Sequence, residues 1–238
     1  MRQSMRVGRA GSLKVLALDT ACGACSAAVW TGEAIGARRF EQRARGHAEA
    51  LMPMVQAVMD EAALDYDSLD AVAVTRGPGT FTGLRIGLAA ARGLALAAGL
   101  PLVGLTTLEV IAAEAEGRLP DHPILVAIDA RRGQVYAQLF QADASPVGEP
   151  QAMSPEDAVR LIASDQVVLA GDMAERLLAL HGGRGVIASG PGQPDAAVLA
   201  RCVAHRSLPA CGVPVSPLYL RAPDATLPGT VKSIEAKP

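Results

Sequence analysis

The residues best suited to chemistry lie in a glycine-rich segment at residues 76–87, between a predicted strand and a predicted helix. Glycines let the backbone approach another group closely, and the hydroxyls of Thr80 and Thr82 can cap the helix. A helix start whose amides face outward attracts anions, and Arg85 follows one turn later. No Lys-Ser or Lys-Thr follows the last glycine, so the segment is not a Walker loop.

This segment supports two hypotheses, and the sequence leaves both open. In the first hypothesis it binds the phosphate of a nucleotide, whereas in the second it is a tight, capped turn without a ligand. The phosphate hypothesis assigns the contact to six residues, which are Gly77, Gly79, Thr80, Thr82, Gly83 and Arg85.

A second candidate site is formed by Asp19 and Thr20, where the first predicted strand ends. A carboxylate followed by a hydroxyl suits contact with magnesium and phosphate, as in the first phosphate loop of actin-like ATPases. The alternative is that Asp19 only caps the turn before Ser26. No comparable glycine-rich loop with a carboxylate is evident in the C-terminal half, because residues 182–185 lack an acid. We therefore do not expect an independent ATP clamp.

The cysteines and histidines do not form a metal or redox motif. Cys22 and Cys25 have C-x-x-C spacing, but Cys25 leads into an apolar predicted strand instead of a helix, which disfavours a redox pair. Cys202 and Cys211 are too far apart for a zinc knuckle. The four histidines include neither H-x-x-x-H nor H-E-x-x-H. We predict reduced, mostly buried thiols and no metal site.

Hydrophobic patterning divides the chain into two predicted lobes. Residues 13–116 contain a three-stranded meander followed by helix, strand, helix, strand and helix, the layout of a ribonuclease-H-like lobe with a mixed sheet. Residues 117–225 contain a hairpin, short strands and helices, and form a smaller lobe. Residues 1–12 and 226–238 are predicted to be a flexible N-terminal extension and a flexible C-terminal tail.

The predicted helix that begins at His47 carries an apolar stripe. Such a stripe either packs in the core or contacts another subunit, and flexible methionine side chains suit a surface that docks partners. The stripe consists of residues at helical spacing, namely Leu51, Met54, Val55 and Val58.

Composition limits the function classes. The chain has 22 Lys and Arg against 24 Asp and Glu, so it lacks the basic surplus of a protein that grips nucleic acid unaided. Residues 1–12 have no apolar core of the kind a secretory signal needs. The apolar stretches are interrupted before they could span a bilayer, so we expect a cytoplasmic protein with no membrane contact.

Four segments follow one another along the chain in a recognisable order: residues 16–20 with Cys25 and Ser26, residues 77–87, residues 129–136, and residues 217–221 with Asp224. Together they resemble the TsaB (YeaZ) family, whose members act in tRNA threonylcarbamoyladenosine biosynthesis. The resemblance covers residues 13–225 and implies an α/β, two-lobed actin-like ATPase fold, with a mixed sheet, flanking helices and a reduced second lobe. It implies a non-catalytic scaffold or dimerisation subunit that supports the catalytic subunit TsaD.

The resemblance also implies partners. TsaD is the expected heterodimer partner, a second copy of the chain replaces TsaD when TsaD is absent, and the ATPase TsaE joins the complex. The chain would reach tRNA only through this complex, although Arg131 and Arg132 could contact RNA. The helix at the subunit contact would begin at His47, so the predicted interface residues are His47, Leu51, Met54, Val55 and Val58.

The resemblance finally bears on catalysis. TsaD carries an H-x-x-x-H metal pair at positions that correspond to Thr107 and Ile111, neither of which is a metal ligand. No catalytic residue and no required cofactor are therefore expected, and ATP or ADP would bind only at the interface of the complex. The rival hypotheses are a free-standing actin-like ATPase or small-molecule kinase, and a metallopeptidase.

Overall fold

The computed structural model describes residues 13–116, 120–164 and 166–221. The predicted extensions at residues 1–12 and 226–238, and Asp224, lie outside the described residues. Within them, the chain forms two five-stranded mixed sheets with flanking helices.

The first sheet has the strand order β3-β2-β1-β4-β5. The first three strands form the predicted antiparallel meander, and β4 and β5 run parallel to β1. All of β4 and all but the first residue of β1 are buried, because helices cover both faces of the sheet. The strands are β1 (Lys14–Asp19), β2 (Ala24–Thr31), β3 (Ile35–Gln42), β4 (Ala71–Thr75) and β5 (Leu102–Leu105).

The second sheet repeats this topology, with the order β10-β9-β6-β7-β8. Its last two strands have only three and two residues, against five and four in the first sheet, so the lobe is reduced in size but complete in strand order. The strands are β6 (Ile124–Asp129), β7 (Val135–Phe140), β8 (Pro146–Met153), β9 (Val168–Ala170) and β10 (Val186–Ile187).

Strand β8 was not expected from the sequence. Pro146, Gly148 and Pro150 interrupt the apolar alternation that indicates a strand. Among the described residues this strand pairs with β7 alone and lies at the edge of the sheet, where a proline costs no ladder hydrogen bond if its nitrogen faces outward.

Six α-helices cover the sheets among the described residues: α1 (His47–Glu61), α2 (Phe81–Ala98), α3 (Thr107–Ala115), α4 (Pro155–Val159), α5 (Ala174–Leu180) and α6 (Ala196–Ala204). The starts of α2, α3 and α4 follow the capping chemistry of their local sequence, whereas α1 and α5 begin without a side-chain cap. Thr80 caps α2, Thr106 and Glu109 form a capping box on α3, and Ser154 caps α4 ahead of Pro155.

Two helices cross between the lobes. α1 and α2 pack on one face of the first sheet, and α6 returns from the end of the chain to cover its other face. α3 follows β5 in sequence but packs against β6 and β9 of the second sheet. The two lobes in space therefore do not consist simply of the residues before and after residue 116.

The apolar stripe of α1 faces the first sheet. Leu51, Met54, Val55 and Val58 are 1, 5, 0 and 0% exposed and pack with side chains of β2 and β4 in one core cluster. These four side chains are core and are not available to a partner in this conformation, so their assignment to an interface is corrected. The periodicity identified the buried face of α1, but it did not indicate whether the chain's own sheet or a partner covers that face.

Candidate functional site

Asp19 lies inside the protein at the end of β1. Its side chain is 0% exposed, and its Oδ1 accepts hydrogen bonds from the Thr75 hydroxyl and, at 3.2 Å, from the Ala21 amide. Its Oδ2 is buried and has no hydrogen-bond partner among the described residues. Burial raises the pKa of Asp19 to about 7, although its hydrogen bonds to Thr75 and Ala21 oppose the shift. A carboxylate enclosed in this way does not face a solvated magnesium ion.

The glycine-rich segment packs directly against the turn that follows Asp19. The amide of Thr80 donates to the Ala21 carbonyl at 2.8 Å, and the Thr20 hydroxyl donates to the Gly83 carbonyl at 2.7 Å. A Cβ atom at Gly79 or Gly83 would overlap the backbone oxygens of Ala21 or Thr20. The glycines are thus required for contact with the chain itself, which favours the capped-turn hypothesis.

The remaining residues of the phosphate hypothesis lie outside this junction. Gly77 has a φ of 109°, and a Cβ there would lie 2.6 Å from the Leu218 carbonyl oxygen, so it accommodates the C-terminal segment. Thr82 and Arg85 are exposed. The guanidinium carbon of Arg85 lies 3.7 Å from the centre of the Phe81 ring, a cation–π contact.

Two adjoining cavities lie between the lobes. The helix-side cavity, of about 950 Å³, is lined by residues 42–49 together with Thr82 and Ile86. The hairpin-side cavity, of about 670 Å³, is lined by residues 128–131 and 218–221 with Phe81 and Tyr136. Six residues line both cavities and form the wall between them: Cys22, Gly23, Thr80, Arg131, Asp172 and Gln193.

Gln193 spans that wall. Its Oε1 accepts a hydrogen bond from the Gly23 amide at 2.8 Å, and its Nε2 donates to Asp172 Oδ2 at 3.1 Å. Gly23 belongs to the turn after β1, whereas Asp172 follows β9. The side chain is 7% exposed and joins the first lobe to the second. Sequence analysis missed it because Gln193 lies in an irregular loop and its partner Gly23 is 170 positions away.

Asp129 is the counterpart of Asp19 in the second lobe. Each is the last residue of the first strand of its sheet, and the two sheets share one topology. The Asp129 amide donates to Asp172 Oδ1 at 2.9 Å, and burial raises the pKa of Asp172. The second lobe therefore places a carboxylate at the equivalent strand end, although the turn after it, at residues 130–134, contains one glycine and is not glycine-rich. The repeated strand order indicates this position, whereas residues 182–185 lie elsewhere, after α5.

The four cysteines are free thiols that differ in burial. Cys25 is buried, Cys22 and Cys202 are half-buried, and Cys211 is exposed, so the expectation of mostly buried thiols is wrong for Cys211. Burial raises the pKa of Cys25 to about 11 and that of Cys22 well above its ordinary value. His47 Nε2 lies 3.2 Å from the Cys22 carbonyl oxygen. Thr107 and Ile111 are buried in α3. In the described part of the chain, no three His, Cys, Asp or Glu residues are grouped to hold a metal ion.

Known proteins resemble the chain over most of its length. A family model described as "TsaD: tRNA N6-adenosine threonylcarbamoyltransferase" matches residues 40–180. The tRNA threonylcarbamoyladenosine biosynthesis protein TsaB of Haemophilus influenzae is 34% identical over 172 residues, which cover 67% of this chain and 72% of that protein. The chain belongs to the TsaB (YeaZ) family. TsaB of Escherichia coli is 42% identical over 131 residues, 55% of this chain and 56% of the relative, just over half its length.

A solved structure supports the same membership. YeaZ from Pseudomonas aeruginosa superposes with a TM-score of 0.74 and 29% identity, and the match covers 87% of this chain and all of that one. The two mixed sheets and their order are those of the expected actin-like, ribonuclease-H-like fold. The TsaB family name places the chain in the tRNA threonylcarbamoyladenosine pathway.

Proposed function

We propose that the chain is a non-catalytic scaffold subunit of the complex that forms N6-threonylcarbamoyladenosine at adenosine 37 of tRNA, and that it supports the catalytic subunit TsaD. The observation that carries the proposal is the outward face of α2. Leu96 is 85% exposed there, and small residues accompany it at helical spacing, namely Ala89, Gly93 and Ala97. Arg85 and Arg92 are also exposed on this side of α2, but the residues between and after them are small or apolar. An exposed apolar side chain as large as Leu96, surrounded by small residues and bordered by charged ones, fits contact with another protein.

The neighbouring helix α1 extends this face. Its outward side exposes Met52, which is 43% accessible, together with Pro53 and Gln56. α2 has 18 residues, so it is about 27 Å long, and two helices side by side cover on the order of 500 Å². Pairing of two such faces would bury about 1,000 Å², which is near the lower limit for a specific interface.

The apolar character of α2 also has a membrane interpretation. Among the described residues, α2 alone is long and apolar enough to cross a bilayer by length and composition, and a third of it is buried. Its buried side packs against the first sheet through Leu88, Ala91 and Ala95. Because α2 is already a core helix of a folded lobe, a protein partner accounts for its outward face better than a membrane does, and we place the chain in the cytoplasm.

A partner related to the chain would dock symmetrically. The TsaD family model covers α1 and α2, so TsaD is expected to carry a similar pair of helices. In an isologous dimer the same face of each subunit forms the contact, so a homologue with a similar face can replace one of the two copies. The proposal therefore includes a TsaD heterodimer and, when TsaD is absent, a homodimer. TsaE would join this complex, and tRNA would be reached through it.

The interior of the chain supports a role without independent chemistry. Asp19 is enclosed, the glycine-rich segment packs on its own chain, and Gln193 ties the two lobes together. The helix-side cavity opens beside the first turns of α1 and α2, next to the proposed contact with TsaD. We propose that ATP or ADP binds there only when TsaD completes the site.

Depletion tests the function. When the chain is depleted from its own host, threonylcarbamoyladenosine in tRNA should fall, as measured by mass spectrometry of digested tRNA. The isolated chain should not restore the modification to unmodified tRNA, whereas the chain together with TsaD and the threonylcarbamoyl donor should. An unchanged modification level after verified depletion would refute the proposal.

A further inference from the structure

The hairpin-side cavity concentrates aromatic side chains that the scaffold role does not use. The chain contains three Phe, three Tyr and one Trp, so it has few aromatic residues. Three of them, Phe81, Tyr136 and Tyr219, line this one cavity. Phe81 and Tyr219 are 40 and 41% exposed, although complete burial of such side chains normally stabilises a protein.

Phe81 and Tyr219 form a preassembled wall. Phe81 comes from the first turn of α2 and Tyr219 from the C-terminal segment, and their ring centres lie 5.3 Å apart with planes inclined by 36°. Arg85 lies over the Phe81 ring. Arg221 holds the C-terminal segment in place, because it donates to the Ala130 carbonyl at 2.6 Å. The wall therefore offers a fixed aromatic surface on which a planar ligand can stack.

The second lobe supplies hydrogen-bond acceptors on the same cavity. Asp129 and Asp172 line it. Asp129 accepts a hydrogen bond from the Arg131 amide at 2.8 Å, and its Oδ2 lies 3.4 Å from the Arg131 guanidinium. Asp172 accepts from the Asp129 amide at 2.9 Å and from Gln193 Nε2 at 3.1 Å. A carboxylate has about four acceptor sites, so both retain capacity for a ligand. Two carboxylates disfavour a phosphate inside the cavity and favour a neutral group that donates hydrogen bonds.

We propose that the hairpin-side cavity binds a purine base, which stacks on Tyr219 and Phe81 and donates its amino or imino hydrogens to Asp129 and Asp172. A purine is planar and carries such donors on its edge, and a volume of about 670 Å³ is within the range for small-ligand sites. Arg131, whose side chain is 81% exposed, lies at the cavity and suits the attached phosphate.

The base could belong to a free nucleotide or to an unpaired nucleotide of RNA, because the recognised chemistry is the same. The inference does not rest on the proposed function, since the isolated chain contains the whole cavity. A failure of this inference can be told apart from a failure of the proposed function, because base binding is tested with Tyr219 variants and partner binding with variants on the outward face of α2.

The test is a titration of the isolated full chain, in which calorimetry and ligand-observed NMR detect binding. The probes are guanosine and adenosine, their 5′-monophosphates, uridine 5′-monophosphate, and an RNA stem-loop with unpaired purines. We expect purine binding to weaken about 5- to 150-fold in Tyr219→Ala, the loss typical of one base–aromatic stack. Tyr219→Phe keeps the ring and should retain binding, and circular dichroism checks that both variants fold.

Each outcome decides the inference. Binding of the nucleosides or monophosphates that depends on Tyr219 supports recognition of a free base. Binding of the stem-loop alone, again dependent on Tyr219, supports a base presented by RNA. The inference is overturned if no purine probe binds, if uridine monophosphate binds as tightly as the purines, or if a folded Tyr219→Ala variant binds as the wild type does.

Discussion

The side-chain amide of Gln193 accepts a hydrogen bond from the Gly23 backbone amide at 2.8 Å, across the boundary between the two lobes. The same side chain donates to Asp172, so one residue fixes the turn after β1 against the second sheet. Gln193 therefore ties the two lobes together at the wall between the two cavities.

Gln193→Ala removes this restraint. We expect the free energy of unfolding to fall by about 0.5–1.5 kcal/mol, the net value of ordinary hydrogen bonds, because Gly23 is exposed and water can replace the lost acceptor. The Gly23 amide should exchange its hydrogen faster in native-state exchange experiments. Gln151→Ala, at an exposed position of β8, is the matched control. Unchanged exchange at Gly23 would show that the bridge does not hold in solution.

The buried carboxyl of Asp19 predicts a pH dependence of stability. Its folded-state pKa of about 7 exceeds its ordinary value of 3.8, so the folded state binds the proton more tightly than the unfolded state. Its contribution is greatest below about pH 4 and is lost as the pH rises through about 7. Besides burial, the nearby negative charge of Asp195 raises this pKa, while Arg38 is paired with Asp195 itself.

Asp19→Asn should remove that dependence, because the amide stays neutral. Between about pH 5 and pH 8 the wild type should lose up to about 3 kcal/mol relative to the variant. Urea denaturation at both pH values measures the difference. Parallel stability profiles for the two proteins would mean that Asp19 is ionised normally in the folded state, contrary to its enclosed position.

Two glycines of α2 provide a matched test of packing. Gly83→Ala would drive a methyl group into the Thr20 carbonyl oxygen, and we expect a loss of at least about 1–3 kcal/mol, typical of overpacking. Gly93 lies in the same helix, and a Cβ there meets no atom within 4 Å. Gly93→Ala should therefore stabilise the isolated chain by about 0.4–1 kcal/mol. Thermal denaturation of both variants measures the contrast, and equal effects would contradict it.

Features governed by local chemistry were predictable from the sequence. The caps at Thr80, Thr106 and Ser154 and the meander of the first sheet follow from residue types at short spacing. Strand β8 was missed because an edge strand tolerates prolines that a central strand excludes. Periodicity located the apolar face of α1 correctly, but it cannot distinguish burial against the chain's own sheet from burial against a partner.

The candidate site was harder to predict because its parts are distant in sequence. The sequence offered Asp19 and residues 77–83 as phosphate ligands, whereas the structure uses them to hold a turn. The glycines do allow another group to approach the backbone closely, as the sequence predicts, but that group belongs to the same chain. Gln193 gave no signal at all, since an isolated glutamine in an irregular loop has no periodic or motif context.

Co-purification with TsaD shows whether the outward face of α1 and α2 is the contact surface for that subunit. Leu96→Arg and Gly93→Arg place a charge on that face without disturbing the core, because Leu96 is 85% exposed and Gly93 has open space. Leu51→Arg and Val58→Arg are controls that should unfold the isolated chain, since both residues are buried.

We predict that Leu96→Arg and Gly93→Arg melt within a few degrees of the wild type but lose TsaD on co-purification. An unpaired charge buried in an interface costs about 3–5 kcal/mol, which corresponds to a 100-fold or larger loss of affinity. If both folded variants retain TsaD with wild-type affinity in the pull-down, the outward face of α2 is not the interface, and the scaffold account in this form is wrong.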